Sequence, residues 1–556
     1  MILGWRLCTA LSTARTVRET FSPVYYWDQY TVVTDLQGSN GVFHLSRLWA
    51  QHNEHRIVVG RVALLADLQF FHGRNASLLV EIYLIQLVLA LLFTWMCRHF
   101  GNLRGVALIT VGGFFSYCMF CPLQIENFYW GFQVSYVFAG LAAAASFACV
   151  VWHRAKVAEG KANWISWPLL FAFIAGFLAE YSLAEGLIVW PVILWLGFIL
   201  RLAKRTQVLS AVVGFMAVGM YFIGYVTPPE HSNPWLTIRR PLSLAKYVTT
   251  YIASTWDSSL PSSSAWPTVS ESLTILAVAF VLGTALRWLF VRSPAPDLLR
   301  AFLVANLLLT VAAAVLTSLG RLNFGLATAT LSRYQSIALV FWACLAAFIL
   351  ASIPSGHSYR FVLTLQIGLV VLLAANQGRF GTIVRLAKQH QIALDDAYVA
   401  LANNSSDLAG LEILYPQPEK VMPWYNYMRS HNLGADPSEF YNWGGYHMAA
   451  TNNCAGSLET IRRISSTQTM AQGWAWDTAA KKAPNQVVLA LPDGLVVGLG
   501  EIDTPRPDVQ AALTISELRT GWSGEAKAAE GSQLRAFAVL ADSKSICPLN
   551  NARQVP

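Results

Sequence analysis

Leu78-Leu-Val-Glu-Ile-Tyr-Leu-Ile-Gln-Leu-Val-Leu-Ala-Leu-Leu-Phe-Thr-Trp-Met-Cys97, followed at once by Arg98, decides the fold. A helix rises about 1.5 Å per residue, so ~20 residues of this kind cover the ~30 Å hydrocarbon core of a bilayer. Comparable apolar runs recur near 104–123, 132–152, 207–226, 272–291, 300–319 and 334–353, with a shorter one at 361–376. The stretch 164–200 is too long for one crossing. It is broken by Glu180-Tyr-Ser-Leu-Ala-Glu-Gly186, which reads as a tight polar turn between two helices. Together these predict about ten spans, a polytopic α-helical membrane protein. Composition agrees: 55% of the 556 residues are hydrophobic and 13% charged, where a water-facing surface needs roughly 25% charged residues.

Lysine and arginine set the orientation. One set of alternate loops carries Arg98 and Arg104, then Arg154, Lys156 and Lys161, then Arg201, Lys204 and Arg205, then Arg287, Arg292 and Arg300, then Arg360. The opposite set is poor in both, with none in 124–131 or around 182–185. The basic set is therefore expected in the cytoplasm, and residues 15–77, 124–131, 227–271, 320–333 and everything after about 377 outside. An exported segment at the start needs a crossing before it. Met1 to Ala14 is short for one and contains Arg6, so a first transmembrane helix is expected to be missing from this sequence. The net charge of +8 fits this bias rather than nucleic acid, because the basic residues form no continuous stripe.

Four regions follow: an exported loop with interfacial helices over 1–77, transmembrane helices over 78–376, an exported helical linker over 377–454, and a domain over 455–556. In the last region Gln486-Val-Val-Leu-Ala-Leu, Gly494-Leu-Val-Val-Gly-Leu-Gly and Leu534-Arg-Ala-Phe-Ala-Val-Leu are short apolar runs bounded by turn residues such as Pro492-Asp493-Gly494. They predict a small β-sandwich. Cys454 and Cys547 are the two cysteines of this tail and could pair if it is exported. Cys118 and Cys121 form a CxxC inside an apolar span, where small core residues are the plainer reading.

Polar residues beside helix ends on one side of a membrane are the place to look for chemistry. The first group is Tyr25-Tyr-Trp-Asp28-Gln-Tyr30, in which Asp28 reads as a general base or as an ordinary surface aspartate. The second is Gln51-His52-Asn53-Glu54-His55-Arg56, followed by Arg61 and Asp67. His52 and His55 are spaced i,i+3, and with Glu54 they miss the i,i+4 zinc-helix pattern, so no metal is expected. Arg56 and Arg61 suit a phosphate, which guanidinium forks bind bidentately, or the headgroups over an interfacial helix. The third group comprises Glu126 and Asn127 with Trp130-Gly-Phe-Gln133, then Glu180 and Glu185, then Arg321, and finally Ser332-Arg333-Tyr334.

At these residues the sequence resembles the GT-C superfamily, polytopic glycosyltransferases that use polyprenyl-phosphate sugars. More closely, it is similar to a group of bacterial membrane proteins of this type. The likeness rests on Tyr26-Trp27-Asp28, on the 51–56 run, on Glu126-Asn127 with Trp130-Gly131-Phe132-Gln133, on Gly186-Leu187 before Trp190-Pro191, on Ser332-Arg333-Tyr334 and on Gly473-Trp-Ala-Trp-Asp477. It implies transfer of a sugar from a polyprenyl-phosphate donor to a glycan or lipid acceptor of the cell envelope, at the periplasmic face of the bacterial inner membrane. Asp28 and Glu54 would be catalytic. His52, His55, Arg56, Arg61, Glu126, Asn127, Arg321, Arg333 and Tyr334 would bind substrate, and no cofactor is needed. Many members carry a second acid beside the first, where this chain has Gln29. The rival expectations are a transporter or flippase of lipid-linked glycan, and a non-catalytic envelope-assembly protein.

Overall fold

The computed structural model describes residues 2–38, 41–101, 103–228, 237–257, 263, 265–291, 297–353, 379–395, 397–398, 401, 411–435, 447–448, 453–464, 468–492, 495–541 and 545–556. The run at 361–376 lies outside them, as does part of the 377–454 linker. The chain forms two compact units. One comprises Met1–Phe21, Ser39–Phe71 and Asn75–Gln389; the other comprises Ser22–Gly38, His72–Arg74 and His390–Pro556.

The first unit is helical. Six stretches among the described residues are long and apolar enough to cross a membrane: Ala76–Phe100, Gly105–Tyr129, Gly131–Ala158, Val269–Phe290, Leu298–Phe324 and Ser332–Ser352. Two shorter apolar helices, Trp167–Glu180 and Ala184–Ile199, flank the expected turn. Gly186 permits that turn, since a Cβ there would sit 2.1 Å from the Ala179 carbonyl oxygen. A further helix, Lys204–Tyr221, begins with Lys204 and Arg205 and is not among the six. The chain opens with the helix Ile2–Glu19, in which Thr13 donates to the Phe120 carbonyl at 2.6 Å.

Inside the bundle Phe93 stacks on Phe115 at 4.7 Å and meets Phe302 at 5.3 Å. On the outside, large apolar side chains stand open: Phe171 is 56% exposed, Phe215 82% and Leu276 68%. Scattered apolar residues are normal on a soluble surface, but a belt around apolar helices calls for a lipid surround.

One end of the bundle is tied together by contacts among residues near 97–103, 153–166, 200–206 and 299. There Arg154 donates to the Leu200 carbonyl, Thr206 to the Trp164 carbonyl, and Gly101 lies against Leu299. This is the end that carries Arg98, Arg104, Arg154, Lys204 and Arg300. The opposite end gathers 52–56, 122–133, 181–188 and 317–334 through the contacts described below.

The second unit joins the 22–38 segment to the C-terminal part of the chain. Tyr30 stacks on Trp424 at 4.8 Å, the Trp27 amide donates to the Leu414 carbonyl at 2.7 Å, and Ser22 donates to Asp395 at 2.7 Å. Its strands are β1 (His447–Met448), β2 (Cys454–Arg463), β3 (Thr469–Asp477), β4 (Gln486–Ala490), β5 (Val496–Pro505), β6 (Arg519–Ala526), β7 (Gln533–Val539), β8 (Ser545–Pro548) and β9 (Arg553–Gln554). They form one sheet in the order β1-β8-β7-β4-β5-β6-β3-β2, antiparallel except for β1 with β8, and β9 pairs with β7.

The sandwich expectation is corrected here, because the domain is a single sheet curled back on itself. Leu458 of β2 donates to the Asn550 carbonyl at 3.0 Å, and Asn550 donates to the Gly456 carbonyl at 2.9 Å. The chain between β8 and β9 thereby closes the sheet onto β2. Leu458, Ala475, Val487, Trp522, Ala536 and Cys547 share the enclosed core. A second apolar cluster, including Val488, Leu499 and Phe537, covers the other face of the central strands. Burial on both faces produced the continuous apolar runs that read as a sandwich. Trp522 fits inside because Gly473 and Gly500 leave room; a Cβ on either would lie 2.9 Å from its ring. Cys454 and Cys547 form a disulfide with Cα atoms 6.1 Å apart, linking β2 to β8.

Candidate functional site

The hairpin 52–55 starts the site. His52 and His55 exchange backbone hydrogen bonds of 2.8 Å, and Asn53 takes the left-handed φ of +50° that asparagine tolerates. The turn presents Glu54. Its Oε1 accepts from Arg321 Nη2 at 2.9 Å and lies 3.4 Å from His55 Nε2. The Ala184 amide donates to His55 Nδ1 at 3.1 Å, so the ring proton sits on Nε2, facing Glu54. Tyr221 donates to the Glu54 carbonyl at 2.8 Å. Arg321 closes the helix Leu298–Arg321, where a cation also meets the negative end of the helix dipole.

A second acid–arginine pair stands at the same end. Arg333 Nη1 donates to Glu126 Oε1 at 2.7 Å and the Arg333 amide to Glu126 Oε2 at 3.2 Å. Ser332 and Asn127 lock this geometry: Ser332 donates to the Leu123 carbonyl at 2.8 Å, Asn127 to the Arg333 carbonyl at 3.0 Å. The guanidinium lies over Trp130 at 5.9 Å and Tyr334 at 5.4 Å. Phe132 bridges Trp130, at 5.6 Å, to His52, at 5.3 Å, so an aromatic rim connects the two pairs.

Tyrosines floor the site. Tyr334 stacks on Tyr251 at 5.3 Å, and the hydroxyls of Tyr136 and Tyr251 meet at 3.2 Å. Burial holds the Tyr251 phenol well above its ordinary range; the Tyr136 hydrogen bond opposes this and nearby Glu185 adds to it. It is therefore a neutral donor at physiological pH.

Arg56 and Arg61 are placed differently from the phosphate-binding expectation. Arg56 is 5% exposed and donates to the carbonyls of Tyr221, Trp49 and Ile223. Arg61 is 2% exposed and donates to the Ala50 carbonyl, with the Leu48 carbonyl at 3.4 Å. These bonds pin the 48–50 and 221–223 segments behind the hairpin. Neither offers a fork to a phosphate. Among the charged substrate-binding candidates, the half-exposed cations are Arg321 and Arg333.

Asp28 belongs to the second unit and is described there. It follows Trp27, whose φ of +51° is costly for a bulky residue. That conformation is held at both ends, since the Trp27 ring nitrogen donates to the Ile413 carbonyl at 3.1 Å and its amide to Leu414. Strain of this kind concentrates at functional sites, where the surroundings over-determine it. Among the described residues, no three His, Cys, Asp or Glu side chains form a metal-holding group.

Sequence reasoning placed Glu185 in the third polar group but gave it no role in the site. It lies within the 3₁₀ turn 184–188, and Thr317 Oγ1 is 3.5 Å from its Oε1. Its signal was present in the sequence, as one of two carboxylates flanking a turn between apolar helices.

Fold and site together define a helical membrane protein with a C-terminal antiparallel sheet domain and a polar, aromatic-rimmed site at one end of the bundle. No family model, curated protein or solved structure matches the chain.

Proposed function

We propose that this protein is a glycosyltransferase of the bacterial inner membrane, moving a sugar from a polyprenyl-phosphate donor to a cell-envelope acceptor at the periplasmic face. The observation that carries this reading is the pair of half-exposed arginines, Arg321 and Arg333, each held by a glutamate at the same end of an apolar bundle. In the transfer, the acceptor oxygen bonds to the anomeric carbon and the bond from that carbon to the phosphate oxygen breaks. The electron pair leaves on the polyprenyl phosphate, and the hydroxyl proton passes to a carboxylate. Arginines fixed in advance stabilise the departing phosphate without reorganising, and the tyrosine floor and Trp130 suit a sugar face. Asp28 is the candidate base on the second unit, and Glu54 the candidate on the helical unit. Two features support an outward-facing site: basic residues crowd the opposite end of the bundle, and the Cys454–Cys547 disulfide suits an oxidising compartment.

The test is sugar transfer by purified protein in lipid, with a panel of polyprenyl-phosphate hexoses and pentoses and an envelope-glycan extract. Arg321→Gln, Arg333→Gln and Asp28→Asn are compared with the parent. Each arginine change should cost ~10²-fold or more in rate. Parent activity that survives both arginine changes removes this site from the mechanism. A cavity inside the bundle favours the rival transport reading, which wins if reconstituted protein moves a lipid-linked glycan across the bilayer without transferring sugar.

A further inference from the structure

Below the tyrosine floor lies a cavity of about 60 Å³ lined by the helical unit. Its wall runs along Val134–Ala158 from Tyr136 to Ala143, seven residues, or about 10 Å of helix. Over most of that depth it is apolar, with Leu89, Phe93, Val137 and Val340 among its lining. Its mostly apolar lining suits an alkyl run.

The hydrogen bonding of its polar groups is incomplete. Glu185 Oε2 is buried with no hydrogen-bond partner among the described residues, and so is Gln86 Oε1. The orientation of the Gln86 amide follows from its neighbours. Gln124 Nε2 donates to the carbonyls of Cys118 and Met119, at 2.9 and 2.8 Å, which leaves Gln124 Oε1 to accept from Gln86 Nε2 at 3.0 Å. The Gln86 oxygen is thereby left over. Thr310 and Asn306, also in the lining, donate to carbonyls of their own helix. The unmatched atoms of the shaft are thus both acceptor oxygens. Buried acceptors without donors are costly, so a complementary ligand brings the donor.

We infer that this shaft binds an amphiphile with an apolar tail and a hydrogen-bond-donating head, a hydroxyl or an ammonium, seated on Glu185 Oε2 and Gln86 Oε1. An anionic head is disfavoured, because it supplies no donor to either buried oxygen. If the transfer reading holds, this amphiphile is the acceptor, which makes the acceptor a lipid-like alcohol or amine rather than a polysaccharide. That last assignment rests on the transfer reading; the binding site does not.

The experiment needs no enzyme activity. Full-length protein in nanodiscs is photolabelled with diazirine-tagged octanol, octylamine and octanoic acid, and labelled residues are mapped by mass spectrometry. Lipid-facing Phe215 serves as the reference for partitioning. Relative to it, octanol or octylamine should label Leu89, Phe93, Val137 and Val340 at least about tenfold more than octanoic acid does. Which of the two labels more distinguishes a hydroxyl ligand from an ammonium. Gly140→Leu fills the shaft without a clash, since a Cβ at Gly140 meets nothing within 4 Å, and should abolish labelling. Gly219→Leu adds the same bulk on an exposed helix face and should leave it intact. Glu185→Ala should remove the preference for donor heads. Equal labelling by octanoic acid, or labelling unaffected by Gly140→Leu, overturns the inference whether or not sugar transfer is ever found.

Discussion

Arg56→Met is the substitution that best separates a structural guanidinium from a ligand-binding one. Methionine keeps most of the apolar stem and removes all the donors, leaving the carbonyls of Tyr221, Trp49 and Ile223 without their shared partner. Each orphaned buried acceptor costs roughly 1–3 kcal/mol, and the costs add incompletely where water can enter, so the loss should be about 3–5 kcal/mol. For a unit of this size that lowers the apparent melting temperature by on the order of 5–10 °C. Arg321→Met is the comparison, since its ion pair with Glu54 is only partly buried and contributes about 1 kcal/mol or less. The assay is thermal unfolding in detergent at one fixed scan rate, because irreversible unfolding makes the midpoint rate-dependent. Arg56→Met should melt well below the parent and Arg321→Met close to it. An Arg56→Met protein that melts with the parent but loses sugar transfer would return Arg56 to the substrate and refute the backbone-pinning argument.

Removing the disulfide by the paired change Cys454→Ser and Cys547→Ser opens a loop with a sequence separation of 93 residues. It should cost the sheet domain about 2–5 kcal/mol, read as faster limited proteolysis of 453–556 in the full chain. Unchanged proteolysis would mean that the Asn550 closure alone holds the sheet. In the same domain, a hydrogen bond from Arg506 depresses the Asp508 carboxyl from its ordinary 3.8 to about 2. A depressed carboxylate stabilises the fold above the unfolded value and loses that effect as pH falls from about 4 through about 2. Arg506→Met should therefore exchange backbone hydrogen around 505–513 faster than the parent at pH 5, with the difference much reduced at pH 2. A difference that persists unchanged at pH 2 would assign the effect to packing of the Arg506 stem rather than to its ion pairs, which lose their carboxylate charge in that range.

What the sequence revealed and what it hid divide by the range of the contacts involved. Apolar runs were legible because crossing a bilayer is a local requirement on length and composition, and the break at 180–186 was legible because polar residues interrupt one such run. The backbone role of Arg56 was not legible because the carbonyls of Tyr221 and Ile223 lie more than 160 positions away from it. A guanidinium spent on distant backbone looks, in sequence, the same as one left for a phosphate. The closed sheet was missed for a related reason. Asn550 closes it through backbone hydrogen bonds to β2, and no periodicity marks a short polar segment as a strand partner. The same logic explains Glu185. Sequence reasoning ranks a carboxylate by its neighbours along the chain, and those of Glu185 are an ordinary turn. What makes it a candidate is an absence, a buried oxygen with no donor, and that emerges only once the donors of the surrounding helices have been assigned to other acceptors.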